Sequence, residues 1–411
     1  MNAATRQAVL DWRDGVQASR RDGPQGRYDP WLLLAALALA CFGIVMVASS
    51  SIAVADGQHI GEFYYLRKHI LFLGAGLVAA GLALRIELHW LEKYSMLLLV
   101  ACLLLMLLVF VPGIGMRING ARRWLNFGVI GFQPVEALKL ILIVYLASYM
   151  ARHRDSVESE FRGMFKPLII AGASAAVLLA QPDFGSAALI LALTVAMVWL
   201  GGARFRHLAV LAVFLLPLAG WLAFSQDYRI KRLTSFMDPW ADPFDDGFQL
   251  TQALIAIGRG EWFGVGLGAS VQKLFYLPEA HTDFILAVIA EELGLVGVLA
   301  VLGLYTLLVG RGLWLGLQGV LLGQRFAGHV AFGISVCIGL QAAVSVGVNL
   351  GVLPTKGLTL PLISSGGSSV LMTCAMIGVL LRASFEIARA SDARYMATRT
   401  APHAQATEEG A

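Results

Sequence analysis

The stretch Leu277-Pro-Glu-Ala-His-Thr-Asp-Phe-Ile285 carries the side chain best suited to chemistry in this sequence. It closes a long polar segment and leads directly into an apolar helix, with Asp283 at the boundary. An acid at a helix start can simply cap exposed amides and meet the positive end of the helix dipole. Thr282 could supply that cap instead, which would free Asp283 to act as a general base on an acceptor hydroxyl. The sequence leaves both interpretations open.

Two more acids, Glu291 and Glu292, lie deeper in the same predicted helix. They follow Asp283 by eight and nine positions, about 12 Å along a helix that rises about 1.5 Å per residue. Adjacent residues on a helix point about 100° apart, so the two carboxylates cannot face one site, and we expect at least one to have a structural partner. His281 is the only histidine close to these acids, so we expect no metal cage.

Basic residues outside the apolar stretches are suitable partners for an anionic ligand. Asn119-Gly-Ala-Arg-Arg-Trp124 forms a short predicted loop, in which Arg122 and Arg123 could hold a phosphate and Trp124 could stack on a sugar face. An ordinary role for Trp124 at the membrane interface is the alternative. Anchoring to lipid head groups is the alternative for the five cations of the polar segment before Asp283: Arg229, Lys231, Arg232, Arg259 and Lys273.

Three other polar features have a structural explanation beside a functional one. Glu136 and Lys139 are spaced i, i+3 inside a predicted span, where ionisable residues are costly and are either functional or paired. Asp183 follows a proline and can cap the next helix. The glycines of Gly264-Val-Gly-Leu-Gly268 follow no strand and are not a nucleotide-binding fingerprint, which leaves a plain turn or a close approach to a ligand.

Composition indicates which elements must position these residues. The chain has 411 residues, 58% of them hydrophobic and 14% charged, and its apolar stretches repeatedly reach the roughly 20 residues that cross a bilayer as a helix. We therefore predict an all-α polytopic membrane protein. All four cysteines lie in apolar stretches without a CxxC pair and are interpreted as core residues. The ten predicted spans are 31–50, 69–86, 94–112, 134–150, 167–181, 184–202, 208–224, 284–310, 328–350 and 366–383.

The distribution of Lys and Arg predicts the orientation. These residues are concentrated on the side of the termini, so the positive-inside rule predicts that the N- and C-termini are cytoplasmic. One large periplasmic loop, residues 225–283, then lies between spans seven and eight and contains a helical pattern at Leu250, Leu254 and Ile257. The chain divides into three parts: a cytoplasmic arm at 1–30, a ten-span membrane domain at 31–385 and a cytoplasmic tail, predicted to be disordered after about residue 390, at 386–411.

Seven motifs are highly specific when they occur together: GARRW at 120–124, QPVEALK at 133–139, QPDFG at 181–185, DPWADPFDDGFQLTQALIAIGRG at 238–260, LPEAHTDFI at 277–285, EELG at 291–294 and GVLPTKGLTLPLISSGGSS at 351–369. On these motifs the chain resembles the SEDS family (shape, elongation, division and sporulation) over nearly all of residues 31–385. Within the family it is similar to the division-type members, because PTKG around Lys356 and DPW before ADPF are the division forms.

The resemblance implies an activity, partners and a location. It implies a peptidoglycan glycosyltransferase that polymerises lipid II, an undecaprenyl-pyrophosphate-linked disaccharide peptide, on the periplasmic face of the bacterial inner membrane at the division septum. The implied partners are a class B penicillin-binding protein, which is the crosslinking transpeptidase, and other divisome membrane proteins, with no nucleic acid. In this family the aspartate of the HTDF motif is the essential catalytic acid, here Asp283. No cofactor is evident, and assistance by a divalent cation such as Mg²⁺ is left open.

Around Asp283 we expect substrate-binding residues from several segments. The expected set is Arg122, Arg123, Trp124, Lys273, Glu279, His281, Lys356 and Ser368. Of these, Lys356 matches a lysine typical of the division members and Ser368 matches the GGSS motif that opens the last span. The sequence departs from the family pattern at Val135, where QPSE is usual, and at Ser365, where ISYGG is usual. These departures weaken any role for the missing hydroxyl or ring.

The mechanism that the resemblance favours is sugar transfer, with Asp283 as the base and Arg and Lys neutralising the departing lipid pyrophosphate. One alternative is a flippase for lipid II, which would use the charges inside the spans, such as those of Glu136, Lys139, Glu291 and Glu292. The other is a scaffold that only recruits the crosslinking partner, for which Asp283 would be dispensable.

Overall fold

The chain is mostly helical within the residues that the structure, a computed structural model, describes: 26–57, 59, 61–118, 120–126, 128, 131–224, 234–245, 247–274, 276–354 and 357–408. The helices are α1 Pro30–Gly57, α2 Tyr64–Arg85, α3 Leu88–Leu107, α4 Pro134–Arg152, α5 Arg154–Ser159, α6 Phe165–Ala180, α7 Phe184–Leu200, α8 Phe205–Phe224, α9 Phe248–Gly260, α10 Ile285–Leu321, α11 Arg325–Asn349 and α12 Gly367–Glu408. The strands are β1 Gly115–Ile118, β2 Ala121–Asn126 and β3 Gly131–Phe132.

Each predicted span overlaps a helix. Over the described ranges, eight helices are long and apolar enough to cross a membrane: α1, α2, α3, α4, α6, α10, α11 and α12. The apolar helix α7 is shorter, at 17 residues, and α8 has 20. The prediction of a multi-span helical protein is therefore confirmed, whereas ten crossings and cytoplasmic termini remain predictions. Helix α12 runs on through Glu408, so most of the predicted disordered tail is helical.

A three-stranded antiparallel sheet corrects the all-α prediction. Its strand order is β1-β2-β3, and Ile118 pairs with Ala121, so a two-residue turn joins the first two strands. Gly120 in that turn has φ +80°, a conformation that glycine adopts without steric cost. The sequence contains the signal for this turn, because Asn-Gly at 119–120 is the strongest short hairpin motif. The GARRW motif therefore lies largely on a strand instead of in a loop.

Helix α10 is broken at Gly294, which has φ 65° and ψ −164°. The preceding residues 285–293 form a short and almost completely buried helix, and the chain of residues 261–266 inserts at the break. Four backbone hydrogen bonds link this inserted loop to the two broken ends: Val265 N–H to Glu291 O at 2.9 Å, Gly266 N–H to Glu292 O at 3.0 Å, Leu295 N–H to Glu261 O at 2.9 Å and Val296 N–H to Trp262 O at 3.1 Å. The glycine-rich loop therefore satisfies helix backbone groups, as a close-packed turn.

The predicted helix of the large loop is confirmed as α9. It buries Leu250, Ala253 and Ala256 and packs on the short helix 285–293. Gly260 lies against that helix so closely that a Cβ at this position would be 1.8 Å from the carbonyl oxygen of Ala290. The loop thus fixes the segment that follows Asp283.

Candidate active site

Asp283 lies directly before α10, half-buried, and its carboxyl group is unusually hard to ionise. Burial, together with the negative charge of Glu279, raises the pKa of Asp283 from an ordinary 3.8 to about 7. Over the described part of the chain, no ion pair joins Asp283 to a cation. A carboxyl group with this pKa can accept a proton near neutral pH, as a general base must.

Neither Thr282 nor Asp283 caps α10, which corrects the expectation that one of them would. The N-cap residue is Phe284, without a side-chain cap, and the Thr282 hydroxyl donates to a carboxylate oxygen of Glu279 at 2.6 Å. The fully buried Asn349, at the end of α11, does the capping instead: its Oδ1 accepts from the N–H of Ala287 at 3.1 Å. The remote cap leaves the Asp283 carboxylate free, and this cap was not predicted from the sequence.

Asn349 also holds the backbone of Asp283. Its Nδ2 donates to the carbonyl oxygen of Asp283 at 3.0 Å and to that of Ser345 at 2.8 Å. One buried amide therefore ties the end of α11 to both sides of the α10 start. Asn349 holds in place the backbone from which the Asp283 side chain projects.

The segment before α12 forms the second wall of the site. The Ser364 hydroxyl donates to the Thr282 carbonyl oxygen at 2.6 Å, and the Ser365 N–H donates to the His281 carbonyl oxygen at 2.9 Å. Further along this wall, a Cβ added at Gly357 would lie 3.1 Å from Oδ2 of Asp283. The wall thus passes directly over the carboxylate, and any larger residue at 357 would crowd it.

Lys356 precedes Gly357 in sequence and lies outside the described residues. Its predicted contact with the substrate phosphate stays a prediction.

Glu279 and His281 both lie close to Asp283. Glu279 is exposed, has φ 57° and accepts a hydrogen bond from the hydroxyl of Thr282. His281 is buried, with its ring 4.5 Å from that of Tyr65 at the start of α2, and its Nδ1 has no hydrogen-bond partner within the described chain. Burial lowers the pKa of His281. The negative charge of Glu279 raises this pKa in part, and the positive charge of Lys68 lowers it further. A neutral imidazole beside the site can donate or accept a hydrogen bond.

The residues of the GARRW motif make no hydrogen bond to Asp283. Nε of Arg123 donates to the Gln181 carbonyl oxygen at 3.1 Å, and its terminal nitrogen donates to that of Pro182. Arg122 is exposed on β2, where its hydrogen bond to the Phe110 carbonyl is long at 3.5 Å. Arg123 thus braces the turn before α7, whereas Arg122 is available to a ligand.

Ser368 connects the sheet to the helices, because its hydroxyl donates to the Gly131 carbonyl oxygen of β3 at 3.4 Å, whereas Trp124 packs within the sheet. Trp124 is half-buried on β2 and lies near Gly131 of β3. The buried Ser368 hydroxyl accepts from the Gln133 N–H at 3.1 Å, which joins the start of α12 to the start of α4. The sheet, the wall before α12 and the start of α10 therefore form one continuous face at the same end of the bundle.

Lys273 points into the protein, where its Nζ lies 2.7 Å from Glu292 and 3.0 Å from the hydroxyl of Ser49. Glu291 is fully buried and accepts from the hydroxyl of Ser270, from two loop N–H groups and, at 3.3 Å, from Arg259. Glu291 and Glu292 thus both have structural partners, and the expectation that at least one would have one is confirmed. A role for Lys273 in substrate binding stays a prediction, and it would require a buried ion pair to open.

Three further charged residues of the sequence analysis have structural roles, whereas Arg229, Lys231 and Arg232 lie outside the described residues. Glu136 and Lys139 pair with each other at 2.7 Å inside α4, and Asp183 caps α7 by accepting from the N–H of Ser186 at 3.2 Å. The sequence analysis gave this pairing and this capping as the structural alternatives to a functional role. Among the described residues, no group of three or more His, Cys, Asp or Glu side chains is arranged to hold a metal ion. Assistance by Mg²⁺ stays an open expectation.

Known proteins resemble this chain along most of its length. The profile of the cell cycle protein family FTSW_RODA_SPOVE matches residues 30–388. A probable peptidoglycan glycosyltransferase FtsW of Xanthomonas oryzae pv. oryzae is 56% identical over 92% of this chain and 77% of its own. A protein of the same name from Thioalkalivibrio sulfidiphilus is 48% identical over 89% of this chain and 93% of its own.

Two solved structures are also similar. A chain from a peptidoglycan synthase complex, described as coordinating polymerization and crosslinking, has a TM-score of 0.70 and 32% sequence identity, over 88% of this chain and 98% of its own. The rod shape determining protein RodA of Thermus thermophilus has a TM-score of 0.63 and 30% identity, over 87% and 96%.

Proposed function

The chain belongs to the FTSW_RODA_SPOVE family of cell cycle proteins, and from that premise we propose that it polymerises lipid II into glycan strands, with Asp283 as the general base. One observation carries the role of Asp283. Its carboxyl group has a pKa of about 7 and does not cap the helix, because Asn349 does so. The carboxyl group lies next to Gly357, which has no side chain to crowd it. The relatives are named probable peptidoglycan glycosyltransferases, which supports a peptidoglycan precursor as the substrate.

In the proposed reaction Asp283 takes the proton of an acceptor sugar hydroxyl as its oxygen forms a bond to the anomeric carbon of the donor. The bond from that carbon to the lipid pyrophosphate breaks, and the pyrophosphate leaves with the electron pair. Arg122 and Lys356 neutralise its charge. Their contribution acts where charge develops in the transition state, which is where electrostatic stabilisation is most effective.

The flippase alternative has less support, because the charges that it would use already have partners. Glu136 pairs with Lys139 and Glu292 with Lys273, both at 2.7 Å, and Glu291 accepts four hydrogen bonds. A transport pathway would have to open these buried pairs. No specific observation favours a scaffold without catalysis.

We place the protein in the bacterial inner membrane at the division septum, with the Asp283 face towards the periplasm. A class B penicillin-binding protein is the proposed partner, supported by the similarity to a chain from a complex that coordinates polymerization and crosslinking. The division-type motifs at 238–240 and 354–357, together with the match to a family of cell cycle proteins, support the septal location.

The pH dependence of polymerisation tests the role of Asp283. Because a base must be deprotonated, the rate should fall about tenfold per pH unit below the pKa of about 7 and level off above about pH 8. Glu279→Gln removes a charge that raises this pKa, so it should move the midpoint to lower pH. Initial rates of glycan formation from lipid II, measured from about pH 5.5 to about pH 9, give both midpoints. An unchanged rate across this range would contradict the proposal.

Asn349→Ala tests whether Asn349 orients the base. The substitution leaves the Asp283 carbonyl oxygen without its partner and removes one of the two acceptors of the Ala287 N–H, which also donates to the Phe284 carbonyl oxygen at 3.1 Å. We therefore expect a loss of about 1–3 kcal/mol in the free energy of unfolding. We also expect the rate per folded molecule to fall at least about tenfold, since small misplacements of a catalytic group are costly. If the variant is less stable but polymerises at the wild-type rate per folded molecule, Asn349 is only structural.

A further inference from the structure

A groove lies at the opposite end of α4 from the Asp283 face. Helix α4 begins next to the sheet and has 19 residues, so its two ends are about 28 Å apart at about 1.5 Å per residue. The groove has a volume of about 390 Å³ and runs between α3, α4 and α6. It is therefore separate from the polymerisation site.

The walls of the groove are apolar and face outward. Met96 of α3 is 53% exposed and Ile169 of α6 is 65% exposed, although both lie within helices that are apolar enough to cross a membrane. Side chains of this kind at membrane depth contact acyl chains. The groove thus offers an apolar surface that opens towards lipid.

Basic side chains surround the polar end of the groove. Arg152, His153 and Lys166 line it, and over the described part of the chain none of them has an acidic partner. Nε of Arg152 donates to the carbonyl oxygen of Ser148 at 3.1 Å, which fixes the guanidinium and leaves its terminal N–H groups for a ligand. A fixed guanidinium and an ammonium group together suit a phosphate.

Tyr145 provides the observation that points to a particular ligand. Its side chain lines the groove and is only 6% exposed as a whole, and its hydroxyl makes no hydrogen bond within the described residues, yet this oxygen is not among the enclosed polar atoms that lack a partner. Tyr149, one turn further along α4, is equally buried but donates to the Gly163 carbonyl oxygen at 2.9 Å. The Tyr145 hydroxyl is therefore accessible from the groove that its side chain lines, where it can donate to a ligand. Within the described chain, the Tyr145 hydroxyl is thus a donor without an acceptor.

The spacing along α4 separates this donor from the cations. Tyr145 precedes Arg152 by seven positions, about 10 Å along the helix axis. A glycerophospholipid carries its phosphate in the head group and its ester carbonyls deeper in the membrane. A polyprenyl phosphate has no ester carbonyl below the phosphate, so it would leave the Tyr145 hydroxyl unpaired.

We propose that this groove binds an anionic glycerophospholipid of the leaflet opposite the Asp283 face. Its phosphate lies between Arg152 and Lys166, the hydroxyl of Tyr145 donates to an ester carbonyl, and an acyl chain lies along Met96 and Ile169. The ligand anchors the loop between α4 and α6, which is far from the reacting groups. This site is independent of the proposed polymerisation chemistry.

Lipid binding to the purified full-length chain tests the proposal. Native mass spectrometry would measure the retention of phosphatidylglycerol, phosphatidylcholine and undecaprenyl phosphate. We expect wild-type protein to bind phosphatidylglycerol at least about tenfold tighter than phosphatidylcholine, and Arg152→Ala/Lys166→Ala to abolish that preference. Tyr145→Phe should weaken phosphatidylglycerol binding several-fold without changing undecaprenyl phosphate binding.

The matched control is Arg204→Ala/Arg206→Ala, which removes two exposed cations from the region where α7 leads into α8, outside the groove. This variant should keep the wild-type preference. An equal loss in the control would mean that the effect is general surface charge, and would overturn the site. Equal binding of phosphatidylcholine, tighter binding of undecaprenyl phosphate, or unchanged phosphatidylglycerol binding in Tyr145→Phe would overturn it as well. Thermal midpoints of all variants report whether each is folded.

Discussion

Asp283→Asn should reduce glycan polymerisation by about 10²–10⁴, the usual contribution of a general base. The amide has nearly the same shape as the carboxyl group but cannot accept a proton at neutral pH. Asn349 holds the backbone carbonyl of Asp283 and caps the helix, so the segment does not depend on the Asp283 side chain for its position. The loss should therefore appear in the rate, with the fold retained.

The stability of this variant separates loss of the base from misfolding. Because the pKa of Asp283 is raised in the folded protein, ionising the carboxyl group costs stability as pH rises from 3.8 to about 7. The neutral amide avoids that cost, so Asp283→Asn should be at least as stable as wild type at about pH 8. A matched control is Asp183→Asn, since Asp183 caps α7 and asparagine caps helices about equally well. It should retain both stability and activity.

Lys273→Ala should destabilise the protein by about 3–5 kcal/mol, because it leaves Glu292 fully buried without its cation. The measurement is the thermal or chemical unfolding of the purified protein. Replacing both partners by apolar residues of similar volume, as in Lys273→Met/Glu292→Leu, should recover most of the loss. The control is the exposed pair Arg154–Glu158 at α5, where Arg154→Ala should leave the unfolding midpoint nearly unchanged because solvent screens the pair.

The double variant also separates two roles of Lys273. If the lysine is structural, the stable double variant should polymerise lipid II at a rate close to wild type. If it binds the substrate phosphate, the double variant should fold but bind lipid II more weakly. A single variant with unchanged stability would contradict the structural role of the pair.

The sequence predicted the helices well, because apolar stretches of membrane length can be read locally. It also gave the local interactions, such as the pairing of Glu136 with Lys139 and the capping of α7 by Asp183, as one of two alternatives, since the partners are within three residues. The sheet was missed although its Asn-Gly turn is visible in the sequence, because residues 119–124 were interpreted as a short glycine-containing loop.

The long-range contacts could not be predicted from local pattern. Asn349 lies 66 positions from Asp283, and nothing in the apolar run before it indicates which helix start it caps. The reason for a glycine at position 357 is visible only in the structure, where the Asp283 carboxylate lies next to it. The expected convergence of Arg122 and Arg123 on Asp283 has no direct contact to support it, because β2 presents Arg123 to the turn at Gln181 instead.

The most direct test of the central claim is the initial rate of glycan formation from lipid II, measured side by side for wild-type protein and Asp283→Asn with the crosslinking partner in the same membranes. If Asp283 is the general base, the variant should bind lipid II with wild-type affinity and polymerise it at least about 100-fold more slowly. A variant that polymerises lipid II at the wild-type rate would contradict the assignment of Asp283 as the base.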